Sequence, residues 1–156
     1  MLKKNINFFI LLLMLTSCGF TPVNINKNNL NFEVKIINIE GDLEINNIIR
    51  SKLTQKKSSS ENNNNKELFE IEINTNYQKN IFSKNLTGTA ENYLLDVVAR
   101  VSITNKNIKK NFVFKENFLM KNINDQFEQA QYERNTKKSF ADSLSEKIIS
   151  TIQFEK

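Results

Sequence analysis

Apolar residues alternate with polar ones over four stretches of the chain, which is the pattern of strands that are solvated on one face. The first stretch is Phe32–Ile39, which begins after the only proline of the chain, Pro22. The alternating apolar positions are Phe32, Val34 and Ile36; then Phe69, Ile71, Ile73 and Tyr77; then Tyr93, Leu95, Val97, Ala99, Val101 and Ile103; and finally Phe112, Phe114, Phe118 and Met120. This pattern predicts four strands, and turns are predicted at Thr87-Gly88-Thr89 and Asn105-Lys106-Asn107.

Two further stretches have helical spacing. The first is predicted to be an amphipathic helix from Leu43 to Gln55, preceded by a strand-breaking Gly41 and a capping Asp42. Its apolar positions are Ile45, Ile48, Ile49 and Leu53. The second predicted helix runs from Phe140 to Ile152, with apolar residues at Phe140, Leu144, Ile148 and Ile152.

The order strand, helix, three strands, helix predicts one α+β domain over residues 32–156. Both helices need an apolar surface to cover, and the apolar face of the sheet supplies it. We therefore expect a two-layer sandwich, with a mainly antiparallel four-stranded sheet and both helices on one face. Residues 58–65, rich in Ser and Asn, are predicted to be a surface loop.

The N-terminus has the organisation of an export signal. Lys3 and Lys4 precede an unbroken apolar stretch, residues 8–15, which is shorter than the roughly 20 residues that a membrane-spanning helix needs. Leu15-Thr16-Ser17-Cys18 then resembles the lipobox of bacterial lipoproteins. This resemblance implies that residues 1–17 are a cleaved signal peptide and that the Cys18 thiol is acylated. An ordinary signal peptide with a chance cysteine, or an uncleaved anchor, remains the alternative.

Residues 18–31 are predicted to be a tether between the lipid and the domain. Two or three acyl chains on Cys18 would anchor the protein stably, whereas one would be marginal. By resemblance to the sorting rules of Gram-negative bacteria, Gly19, which is not Asp, favours the outer membrane, with the domain facing the periplasm.

Charge and composition exclude several classes of function. Removal of Lys3 and Lys4 would lower the formal charge from +5 to +3, too mild for a nucleic-acid-binding face. The chain has no His and one Cys, which excludes an intrachain disulfide and a Cys/His metal site. Without His, and with the only Cys acylated, the residues that most often form the nucleophile and the base of a catalytic site are missing. Glu70 and Glu72 imitate a carboxylate pair, but a solvated sheet face explains them better. Two rows of polar residues are predicted to point outward from the sheet: Glu70, Glu72, Asn74 and Asn76 in one strand, and Asp96, Arg100 and Ser102 in the next. We expect no enzyme, no cofactor and no metal.

Five lysines fall near the ends of the three central predicted strands: Lys79, Lys84, Lys106, Lys109 and Lys110. Ordinary solubilising charge explains them in so lysine-rich a chain. The sharper hypothesis is that some of them meet an anionic lipid head group, because ammonium groups pair well with phosphate.

Taken together, these features resemble the LPS-assembly lipoprotein family, the LptE-like plug of the outer-membrane lipopolysaccharide translocon. The resemblance rests on the start Cys18-Gly19-Phe20, the order of strands and helices, the long strand 93–101 and the segment 131–134 leading into the last helix.

The resemblance implies a partner and a ligand. The domain would sit inside a large outer-membrane β-barrel protein, plug it, and assist lipopolysaccharide assembly at the cell surface by binding and positioning. It would be membrane-attached through its lipid anchor, without nucleic acid. Lys79 and Lys84 are the candidate contacts to lipid A phosphates.

Two other functions stay open. An accessory or pilot lipoprotein of another envelope machine would share the anchor and differ in its partner. A stand-alone periplasmic lipid- or solute-binding lipoprotein would need an enclosed apolar pocket.

Overall fold

The computed structural model describes residues 32–55 and 67–155. The predicted signal peptide, the tether, Cys18 and the loop 58–65 lie outside the described residues. The elements, in chain order, are β1 Phe32–Gly41, α1 Leu43–Gln55, β2 Glu67–Lys84, β3 Ala90–Asn105, β4 Ile108–Lys121 and α2 Gln126–Phe154.

The four strands form one sheet in the order β1-β2-β3-β4. β1 pairs with β2 in parallel because α1 carries the chain back across the sheet between them, whereas the β2–β3 and β3–β4 pairs are antiparallel. Both helices cover the same face. The predicted α+β sandwich with a mainly antiparallel sheet is confirmed.

The junction between β1 and α1 explains why the chain leaves the sheet there. Gly41 has φ +108°, and a Cβ atom at this position would lie 1.7 Å from the Thr75 carbonyl oxygen. Only glycine fits so close to the neighbouring strand. Asp42 then caps α1, because its Oδ1 accepts from the Ile45 N–H at 3.0 Å. α1 has the predicted limits.

The core lies between the covered face of the sheet and the two helices. Phe69, Leu95 and Val97 from the sheet meet Ile49 and Leu144 from the helices, and all five are fully buried. The alternation seen in the sequence therefore identifies the covered face correctly. Neither helix of the described residues has a stretch long and apolar enough to span a bilayer.

Two predictions about element limits were wrong. α2 begins at Gln126, not at Phe140, and is capped by Asp125, whose side chain accepts from the Phe127 and Glu128 N–H groups. The segment 131–134, predicted to lead into the helix, is therefore helical itself. Apolar periodicity could not predict this first half of α2, because Thr136 is its only buried residue before Phe140. Lys79 lies inside β2, not near its end, because β2 continues to Lys84.

Candidate interaction surface

The sheet has a second face that no helix covers within residues 32–55 and 67–155, and we call it the open face. Strand register places Glu72 beside Ser102 and Asn111, and Asn74 beside Arg100 and Val113. The predicted outward rows of polar residues on β2 and β3 thus lie side by side on one surface, as the alternation indicated.

A hollow of about 430 Å³ lies on this surface and is lined by residues of all four strands. Its polar lining includes Glu40, Glu72, Asn74, Arg100 and Asn111. The apolar residues Ile73, Val101, Phe112 and Val113 complete the lining. The hollow is open and of mixed polarity, and it differs from the enclosed apolar pocket that a small lipid would need.

Aliphatic side chains share the open face with these polar groups. Leu94 pairs with Leu119, and Val98 pairs with Lys115. Leu119 and Val113 are 50% and 57% exposed. The open face is therefore amphipathic, with apolar patches between charged groups.

The cations of the open face fall into two groups. Lys35 is paired with Glu70 at 2.9 Å and Lys109 with Glu72 at 2.8 Å. Arg100 and Lys115 have no ion-pair partner among the described residues. Arg100 was placed in an outward row from the sequence, whereas Lys115 was missed, although the alternation of β4 could have found it.

Charged side chains on the covered face are paired with α2 instead. Lys79 donates to Glu133 at 2.7 Å, and Lys147 donates to Glu116 at 2.5 Å. Lys110 forms a short ion pair with Glu155. These three pairs link the sheet to α2 and to Glu155 just after it, and they add to the apolar packing that holds the helix on the sheet.

Lys79, one of the two lysines predicted to contact lipid phosphate, is part of a larger cluster. Its ammonium group lies 4.6 Å above the Tyr93 ring, a cation–π contact. The Tyr77 hydroxyl also donates to Glu133, at 2.8 Å. Lys137 lies 4.2 Å above the Tyr77 ring and donates to Asp42 at 2.8 Å.

This cluster shifts the pKa values of its members. Burial raises the pKa of Tyr77 well above its usual range, and the adjacent Glu133 carboxylate adds to the effect. Burial alone would raise the pKa of Glu133, but hydrogen bonds from Lys79 and Tyr77 and the positive charge of Lys79 outweigh it and lower that pKa. The carboxylate is thus held ionised as a structural partner of Lys79.

Lys84, the other predicted contact, is exposed at the last residue of β2 and has no ion-pair partner among residues 32–55 and 67–155. The turn that follows is held by Asn85, whose Oδ1 accepts from the Thr87 and Thr89 N–H groups at 3.0 and 2.9 Å. The two lysines therefore differ in their contacts. The Lys79 ammonium group is ion-paired with Glu133, whereas the Lys84 ammonium group has no ion-pair partner among the described residues and is available to bind a phosphate.

Comparisons with known proteins identify solved structures with a similar fold. The chain matches no protein-family model and no curated protein. Among solved structures it is similar to rare lipoprotein B from Shewanella oneidensis, at 12% identity and a TM-score of 0.55, covering 78% of this chain and all of that one.

Two other solved lipoproteins are similar to it. A minor lipoprotein from Acinetobacter baumannii is 13% identical with a TM-score of 0.51, covering 77% of this chain and 94% of that one. An uncharacterized lipoprotein B from Nitrosomonas europaea is 13% identical with a TM-score of 0.54, covering 78% of this chain and 85% of that one. The resemblance to a lipoprotein family found in the sequence is thus confirmed at the level of the fold. The described domain has the fold of these bacterial lipoproteins.

Proposed function

We propose that this chain is an outer-membrane lipoprotein that is acylated on Cys18 and binds an outer-membrane β-barrel partner, where it assists lipopolysaccharide assembly. The observation that carries the proposal is the likeness of the described domain to rare lipoprotein B over the whole of that solved chain. The lipobox-like sequence before Cys18 supports the anchor independently of the fold.

The open face is the surface we assign to the partner. The lumen of an outer-membrane barrel is polar, and the open face offers the polar side chains of Glu72, Asn74 and Arg100 around an open hollow. The covered face is unsuited to this role because α1 and α2 bury it.

Anionic lipid groups also have candidate contacts, two of which lie on the open face. Arg100, Lys115 and Lys84 are cations that no acidic side chain of the described residues pairs with, and charge-assisted hydrogen bonds to phosphate are strong. Lys79 remains a predicted contact, but it would have to exchange Glu133 for the phosphate. The proposed mechanism is binding and positioning, without bond chemistry.

Purification of the tagged mature lipoprotein from native membranes tests the proposal. We expect a large outer-membrane β-barrel protein in near-equal amount, resistant to salt washing and identified by mass spectrometry. Recovery of the lipoprotein alone, or with a secretin or another machine, would contradict the proposed partner while leaving the fold unaffected.

A matched pair of double variants tests the assigned surface. Arg100→Glu with Lys115→Glu reverses two charges on the open face, and Arg50→Glu with Lys138→Glu makes the same change on exposed positions of the helices. The first pair is expected to reduce recovery of the barrel, and the second pair to leave it unchanged. Equal recovery with both pairs would exclude the open face.

A further inference from the structure

The sheet ends on one side in β4, whose outer edge pairs with no other strand among residues 32–55 and 67–155. Just after β4, the Asn122 N–H donates to the Glu91 carbonyl oxygen at 2.8 Å. Because the backbone groups of an antiparallel strand point alternately to its two sides, the even-numbered residues of β4 bond to β3 and the odd-numbered ones point outward. No hydrogen bond from the described residues reaches these outward N–H and C=O groups. We call this row of backbone groups the β4 edge.

The β4 edge is long and regular. β4 has 14 residues and pairs with β3 without a register shift along its whole length. β1, at the other edge of the sheet, has 10 residues and a register shift between Ile36 and Asn38. A bulge is one of the devices that keep a sheet edge from pairing with another chain. β1 has this device and β4 lacks it, so β4 is the edge that is suited to pairing.

The side chains of the outward-pointing residues of β4 lie on the open face and are cationic. They include three lysines and no acidic residue: Lys109, Asn111, Val113, Lys115, Asn117, Leu119 and Lys121. Lys109 is paired with Glu72, whereas Lys115 and Lys121 have no ion-pair partner among the described residues. A second copy of this chain would bring the lysine row against itself, and like charges opposite each other in a sheet are destabilising. The charge therefore favours a different chain, with acidic side chains opposite Lys115 and Lys121.

The even-numbered residues of β4 place aromatic rings along the same edge, on the covered face. The rings of Phe112 and Phe114 stack with their centroids 6.4 Å apart, and both side chains are only partly buried. Phe118 packs edge-on against Tyr132 of α2 and is still 37% exposed. A strand added at the β4 edge would cover these rings further if its side chains on that face were apolar.

We infer that the β4 edge binds an extended segment of the barrel partner as an added strand, with acidic side chains on the open face and apolar ones beside Phe112 and Phe114. In strand addition, backbone hydrogen bonds give affinity and the alternating side chains give specificity. The wall strands of a closed barrel have no free edge, so the segment is a part of the partner that lies outside the wall, within the lumen. The inference rests on the barrel partner of the proposed function and names the contact that joins the two chains.

Amide hydrogen exchange, followed residue by residue by mass spectrometry, tests the inference. The lipidated chain is measured in the complex purified from native membranes and, as the free form, after production in excess over the partner. In the free form, we expect fast exchange at the outward N–H groups of Asn111, Val113, Lys115 and Asn117. In the complex these four should exchange at least about tenfold more slowly. Fast exchange in the complex would overturn the inference, and so would slow exchange in the free form, because another part of this chain would then occupy the edge.

A pair of variants separates backbone hydrogen bonding from simple burial. Val113→Pro removes one outward N–H and no hydrogen bond to β3, a change that edge strands tolerate, and Val113→Thr is its matched control. We expect the proline variant to retain on the order of tenfold less barrel protein and the threonine variant to retain the wild-type amount. Equal recovery would contradict strand addition. Circular dichroism checks the fold, and Asn117→Pro with Asn117→Thr keeps the test decisive if Val113→Pro does not fold.

A charge reversal tests the acidic character of the added strand. Lys121→Glu on β4 is compared with Lys138→Glu at an exposed position of α2. We expect only Lys121→Glu to lower recovery of the barrel protein, by about threefold, and equal recovery would contradict an acidic strand. Absence of a barrel protein from the wild-type preparation would contradict the proposed partner, and the inference falls with it. A barrel-bound chain whose outward N–H groups still exchange fast contradicts the inference alone.

Discussion

The two faces of the sheet differ in how their charged residues are paired. On the covered face, Lys79 and Glu116 are each paired with a residue of opposite charge on α2. On the open face, Arg100 and Lys115 have no such partner among the described residues. The comparison teaches that the covering helix pairs the charged residues that face it, whereas a charged residue on the open face is paired only where a neighbouring strand supplies the opposite charge, as for Lys35 and Lys109.

The largest expected effect concerns apolar side chains, which are buried on the covered face and partly exposed on the open face. Phe69→Ala on the covered face should lower the free energy of unfolding by about 4 kcal/mol, because it leaves a cavity in the core. Leu119→Ala on the open face should cost about 0.5 kcal/mol, because the side chain is half exposed. Urea unfolding measures both. Similar losses for the two variants would mean that the open face is buried as well.

The next effect concerns the residue that directs α1 onto the covered face. Gly41→Ala should cost about 3 kcal/mol, because the new methyl group collides with the Thr75 carbonyl and the backbone has positive φ. Gly88→Ala, with φ +82° and open space around it, should cost about 1 kcal/mol. Thermal unfolding compares the two. Equal losses would indicate that the close approach at Gly41 relaxes without cost.

A smaller effect separates the two lysines that the sequence grouped together. Lys79→Gln should lower stability by about 1 kcal/mol, because it leaves Glu133 without its ion pair. Lys84→Gln should change stability by no more than about 0.5 kcal/mol, because it breaks no contact of the described residues. Denaturant titration at neutral pH measures the difference. An equal response would remove the distinction between an engaged lysine and an available one.

The pH dependence of stability tests the ion pair between Lys79 and Glu133. The pKa of Glu133 is lowered in the folded state, so this carboxylate contributes stability above its unfolded pKa, about 4.3, and the contribution is lost as pH falls through the lower folded value. Glu133→Gln should therefore lose less stability than the wild type between neutral and acidic pH. Asp42 and Glu116, whose pKa values are also lowered, keep some acid sensitivity in both proteins. Parallel pH profiles would show that Glu133 is not stabilised by its partners.

The spacing of apolar residues along the chain predicted the strands and helices in which buried positions recur at regular short intervals. The alternation around Ile71 and Val97 identified the covered face, and the spacing around Ile45 and Ile49 gave the limits of α1. The first half of α2 was missed because it buries little and has no apolar periodicity to detect. The partners of Lys79 were also missed, since Glu133 lies 54 residues away and meets it only in the folded state. The open face was predicted as a solvated row, but only the folded positions of the acidic side chains show that Arg100 and Lys115 have no ion-pair partner among the described residues.

Site-specific photocrosslinking in the native bacterium tests the central claim most directly. A benzophenone side chain at Val113 probes the open face, and one at the exposed Asn47 of α1 probes the helix layer. The account predicts crosslinks to a large outer-membrane β-barrel protein from Val113, and few or none from Asn47. Crosslinks to the barrel from Asn47 with none from Val113 would contradict the assignment of the open face. The absence of a barrel crosslink at both positions would contradict the proposed partner.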